Sequence, residues 1–119
     1  MRDDIYYVNI QAERLRQNKK WGEQNHPDVD PVLFNRPGGA SPERIAAHLE
    51  IPSANRARYL CDTAKKRGET TWSGILVEEI AEAVEAASMA NYDALRTELI
   101  QVAAVAIAWL EALDRRAAR

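Results

Sequence analysis

The sequence predicts an all-α fold, a bundle of four or five helices. Alanine is abundant, while the β-branched and aromatic residues are scattered. No stretch alternates apolar and polar residues with period two, whereas several repeat at spacings of three and four. The 119 residues amount to one domain, with room for four or five helices.

The first helix is expected over about residues 3–21. Ile5, Val8, Ala12 and Leu15 form one apolar stripe, and Gly22 stops the helix. Residues 22–40 hold His26-Pro27, Asp30-Pro31, Arg36-Pro37 and Gly38-Gly39, and read as a loop of nearly twenty residues. Ser41-Pro42-Glu43 reads as N-cap, first helical position and acidic first turn. The short helix it opens runs to about Leu49, and Pro52 breaks the chain. Ser53 caps a helix to about Arg67, ended by Gly68. Thr70 or Thr71 caps another over about 72–88. Asn91 caps the last, about 92–117, where Arg115, Arg116 and Arg119 suit the negative end of the helix dipole.

Composition excludes several function classes. Apolar residues make up 46% and charged residues 29%, as in a globular chain. A net charge of −2 provides no basic field for a nucleic-acid polymer. The single Cys61 forms neither an intramolecular disulfide nor a four-thiolate zinc site. No apolar run reaches the length of a membrane span. The start, Met1-Arg2-Asp3-Asp4, lacks the apolar stretch of a signal peptide, so a cytoplasmic location is expected.

Two helices carry carboxylates where apolar residues belong. At 100° per residue, Trp72, Ile75, Leu76, Ile80, Ala83 and Ala87 share one face. Glu79 falls inside that face and Glu82 on its edge, while Glu78 and Glu85 lie towards solvent. In the last helix Leu95, Leu99, Val102, Val105, Ala106, Trp109 and Leu113 share a broad face. Glu98 sits within it and Gln101 at its border. A carboxylate on a buried face is costly unless a cation or hydrogen-bond donors compensate it. A short turn near 88–91 makes the two helices an antiparallel hairpin. Residues equidistant from the turn then lie side by side, pairing Glu79 with Gln101 and Glu82 with Glu98. Three carboxylates and an amide oxygen would suit Mg²⁺, a hard cation that favours oxygen ligands. The plainer reading is a solvated acidic face, salt-bridged to Arg96 or Lys65. Glu111-Ala112-Leu113-Asp114 has the same spacing, but lies roughly 15–20 Å along the hairpin from Glu79.

The segment Val77-Glu78-Glu79-Ile80-Ala81-Glu82, followed after fifteen residues by Glu98-Leu99-Ile100-Gln101, resembles the signature of the all-α NTP pyrophosphatases, the MazG-like group. That signature is E-E-x-x-E, a variable gap, then E-x-x-D. Trp72-Ser73-Gly74-Ile75-Leu76, the apolar run 102–110 and Arg16–Pro27 carry the likeness further. Residues 30–60 match least. The resemblance implies a Mg²⁺-dependent pyrophosphohydrolase, with Mn²⁺ as an alternative ion. Such an enzyme converts a nucleoside triphosphate to the monophosphate and pyrophosphate. It implies Glu79, Glu82 and Glu98 as metal ligands, Gln101 at the fourth position, and Glu78 and Glu79 as catalytic carboxylates. Gln101 departs from the pattern, which has Asp there. The rival reading is a catalytically weak or inactive helical protein of the same kind, acting as a nucleotide-binding or protein-interaction module.

Other residues carry weaker signals. Trp21 and Trp72 sit at helix ends and suit either the core or a stacked nucleobase. His26 in the loop is an exposed residue or a nucleotide contact. Lys65, with Lys19, Lys20, Lys66 and Arg67, suits solvent or phosphate. Neither His26 nor His48 belongs to E-x-x-H or H-E-x-x-H, which argues against di-iron and zinc-protease sites. Gly38-Gly39 is not followed by Lys-Ser or Lys-Thr, so no P-loop is present. Cys61 reads as a core residue without a base.

Self-association is expected. Residues 102–110 are apolar without interruption, and a helix apolar all round must be buried. The hairpin covers only one stripe. A homodimer at least, or a homotetramer, follows, and the resemblance points the same way.

Overall fold

Side-chain caps and left-handed stops divide the chain into helices. The computed structural model describes residues 3–35 and 41–118. Among these lie six helices: α1 (Asp3–Trp21), α2 (Pro31–Phe34), α3 (Pro42–His48), α4 (Ala54–Lys66), α5 (Trp72–Ser88) and α6 (Tyr92–Ala117). The described residues contain no strand, and the all-α expectation holds.

Ser41, Ser53, Thr71 and Asn91 each accept a hydrogen bond from the backbone N–H three residues on, at 3.0–3.2 Å. Thr71, not Thr70, is the cap of α5. Helices α3, α4 and α5 end alike. At Glu50, Gly68 and Ala90 the backbone turns left-handed, with φ of 58°, 67° and 52°. The next N–H returns to a carbonyl five residues earlier, as Asn91 does to Ala86 at 3.0 Å.

The stretch 22–40 is not wholly irregular. Asp30 Oδ1 accepts from Val32 N at 2.9 Å, and Pro31 occupies the first position of the one-turn α2. Pro31 therefore opens a helix where a chain break was expected. Arg36-Pro37 and Gly38-Gly39 lie outside the described residues, as do Met1-Arg2 and Arg119.

Helix α5 is the hub, and α6, α4 and α3 all pack on it. Its buried side chains are small: Ala81, Ala83, Ala86, Ala87 and Ser88. Ala54 and Ala57 of α4 meet Ala81 there. Among the described residues, the one large fully buried side chain is Ile45 of α3.

The expected apolar faces divide. Ile5, Val8 and Leu15 are exposed, although their spacing is that of a buried stripe. Leu99 and Leu113, assigned to the Glu98 face, are also exposed. That face is broader than the strip α5 covers, and the buried residue of α6 is Ala112. No described helix is long and apolar enough to cross a membrane.

Candidate metal centre

The hairpin α5–α6 brings Glu79, Glu82 and Glu98 together. One carboxylate oxygen from each lies within 4.8 Å of the others. All three side chains are half-buried. Glu79 and Glu82 lie one turn apart on α5, and Glu98 faces them across the pairing the turn imposes.

The cluster is short of positive charge and of donors. Glu79 Oε2 and Glu98 Oε2 are out of solvent and accept no hydrogen bond. Burial raises Glu79 above the ordinary glutamate value, helped by the charges of Glu82, Glu98 and Glu78. Burial also raises Glu98, with Glu82 adding to the rise and Arg58 opposing it.

Arg58 of α4 is the nearest counter-ion. Its Nε donates to Glu82 Oε1 at 3.3 Å and its Nη2 to Glu85 Oε1 at 3.2 Å. Asn55 Oδ1 accepts from Nη1 at 2.9 Å. The expected salt-bridge partners were Arg96 and Lys65, and Arg58 was missed. The available signal is its position four residues after Ala54 and one after Ala57, at the edge of the α4 face that docks on α5. Glu85, expected towards solvent, is half-buried by this pair.

The donor set fits a hard divalent cation. Two ligands in an octahedral shell at about 2.1 Å from Mg²⁺ stand roughly 3–4 Å apart. Three carboxylate oxygens within 4.8 Å need only small side-chain adjustments to reach that spacing. The two orphaned oxygens are acceptors that such an ion would satisfy. Gln101 lies one turn beyond Glu98 and is exposed. Asp114 of the alternative acidic pair accepts a hydrogen bond from Tyr6 Oη at 2.5 Å.

Glu78, next to Glu79 on the same helix, is half-buried. The Cys61 thiol donates to the Gly74 carbonyl at 3.2 Å. Burial, then Glu78, pushes the thiol up to about 11, so it stays protonated at neutral pH. A Cβ on Gly74 would lie 3.1 Å from Thr71 Oγ1, crowding the cap, and in ordinary contact with Cys61 Sγ at 3.9 Å. A cleft of about 340 Å³ opens beside Cys61, floored by Ala57, Gly74 and Val77.

The remaining candidates make local contacts of their own. Trp21 is exposed, with the Lys20 ammonium 4.8 Å from its ring centre. His26 Nε2 stands 2.9 Å from Gln24 Oε1 in an exposed loop, and Lys65 is exposed on α4. Trp72 stacks on Trp109, with ring centres 6.5 Å apart and planes 13° from parallel. Comparison with family models, curated proteins and solved structures returned no match.

Proposed function

We propose that this chain is a MazG-like nucleoside triphosphate pyrophosphohydrolase that works with Mg²⁺ or Mn²⁺. The observation that carries the reading is the pair of buried, unpartnered oxygens on Glu79 and Glu98, within reach of Glu82. Three carboxylates gathered at the cost of mutual repulsion call for a cation. Glu79, Glu82 and Glu98 would hold it. Bound there, a divalent ion supplies positive charge to the phosphate oxygens.

The chain's own residues account for the rest. Glu78 stands beside the ligand set and would accept the proton of the attacking water. Water forms the new bond to the α-phosphorus, the bridging P–O bond breaks, and pyrophosphate leaves. Arg58 holds Glu82 in place, as an outer partner does for a metal ligand.

Pyrophosphate release, measured across the nucleoside triphosphates with Mg²⁺ and Mn²⁺, tests the reading. Glu79→Ala and Glu98→Ala should each abolish release and weaken Mn²⁺ binding in calorimetry, with the helical CD signal kept. Full activity in both variants removes the hairpin site from consideration. Gln101, an amide where the resembled signature has a carboxylate, favours the second reading, a nucleotide-binding or interaction module without turnover. That module would bind Mn²⁺ through the same glutamates and release no pyrophosphate.

A further inference from the structure

We infer that Glu85 and Asn55 are positioning residues of the metal centre, acting through Arg58 to fix the carboxylate of Glu82; the inference rests on the proposed reading of that centre. All three nitrogens of the Arg58 guanidinium are engaged. Nε donates to Glu82 Oε1 at 3.3 Å, Nη2 to Glu85 Oε1 at 3.2 Å and Nη1 to Asn55 Oδ1 at 2.9 Å. A guanidinium is a rigid planar fork, so three anchors fix its orientation as well as its place.

The clamp is built from one turn of each helix. Asn55 and Arg58 are three residues apart on α4, and Glu82 and Glu85 three apart on α5, so each pair shares a side of its helix. Ala54 and Ala57, each the residue before a member of the clamp, pack on Ala81 of α5. Contact between alanines lets two helix axes come close, which brings the Arg58 stem within reach of α5.

Charge alone does not account for Glu85. The side chains of Glu82 and Glu85 are only 21% and 30% exposed, and like charges one turn apart on a helix repel. Glu85 cancels the single positive charge that Arg58 brings, so the two together add none to a cluster already short of it. What they supply is geometry. Held by Glu85 and Asn55, Arg58 presents a fixed donor to Glu82 Oε1, and Glu82 Oε2 is left to meet an ion together with Glu79 and Glu98. A carboxylate oriented in advance loses less side-chain freedom when the ion binds.

Mn²⁺ binding without nucleotide tests this, with calorimetry for affinity and electron paramagnetic resonance for the symmetry of the ion's surroundings. Glu85→Ala should weaken binding about tenfold. Glu85→Gln keeps the acceptor for Nη2 and should bind within about threefold of the parent. Arg58→Lys keeps the charge, loses the fork, and should match Glu85→Ala. Asn55→Ala changes no charge and should weaken binding about threefold. The resonance of the ion-saturated protein should change in Glu85→Ala and Arg58→Lys and be restored in Glu85→Gln, with the helical CD signal kept throughout. Equal losses in Glu85→Ala and Glu85→Gln would make Glu85 a simple charge or a ligand, and overturn the inference. Parent-like binding and resonance in Glu85→Ala, or in Arg58→Lys and Asn55→Ala, overturn it too, while Mn²⁺ binding that still depends on Glu79 and Glu98 leaves the metal centre standing. A parent protein that binds no Mn²⁺ overturns both together.

Discussion

Glu79 and Glu98 each keep an oxygen out of solvent without a donor. The cation-free fold therefore works against their charge. Burial and neighbouring carboxylates raise both above the ordinary 4.5, so the folded chain binds protons more readily than the unfolded one. The sign follows: stability rises as pH falls through the raised values, and the gain is complete below the unfolded value. The melting temperature of the metal-free protein should climb as pH falls from neutrality towards the ordinary glutamate value. Glu79→Gln should raise it by a few degrees at neutral pH and flatten that climb. A Gln variant with the parent's pH profile would show that Glu79 carries no strained charge. At this scale the three glutamates were legible, because each breaks the apolar phase of its helix. Arg58 was not, since its partners lie on another helix and local spacing says nothing of how α4 docks.

The hairpin of α5 and α6 depends on a turn that no glycine eases. Ala90 holds φ at 52°, where an L side chain costs about 1–2 kcal/mol. Ala90→Gly removes that clash and adds some unfolded-state entropy, leaving a net gain of about 0.5–1 kcal/mol. Chemical denaturation should show the midpoint moving up with an unchanged slope. A loss of stability would place the strain elsewhere in the turn. Helix boundaries were legible wherever a cap and a breaker flank an apolar repeat, as with Ser53 and Gly68 around α4. Asp30-Pro31 reads in sequence as a break because proline both ends and opens helices. Only the Asp30 cap decides which applies here.

Among the described residues, the core consists of alanines, Tyr6 and one fully buried isoleucine, with large apolar side chains outside it. If the apolar α6 is covered by a second chain, as its sequence predicts, stability depends on concentration. The melting temperature should rise with each tenfold increase in protein, and Leu99→Glu should abolish the dependence. A parent protein that melts at one temperature across a hundredfold range would contradict an obligate assembly. The apolar α6 was legible as a surface needing cover. That the α1 stripe is exposed was not, because a stripe in sequence does not say what packs on it. The same geometry gives the protein its own optical reporters. Trp72 and Trp109 couple as transition dipoles only while the hairpin is in register. Trp21, exposed and off the α1 stripe, remains a solvent reference within the same emission spectrum. Unlabelled protein thus carries signal and control together, and loss of the coupled signal marks the parting of α5 from α6.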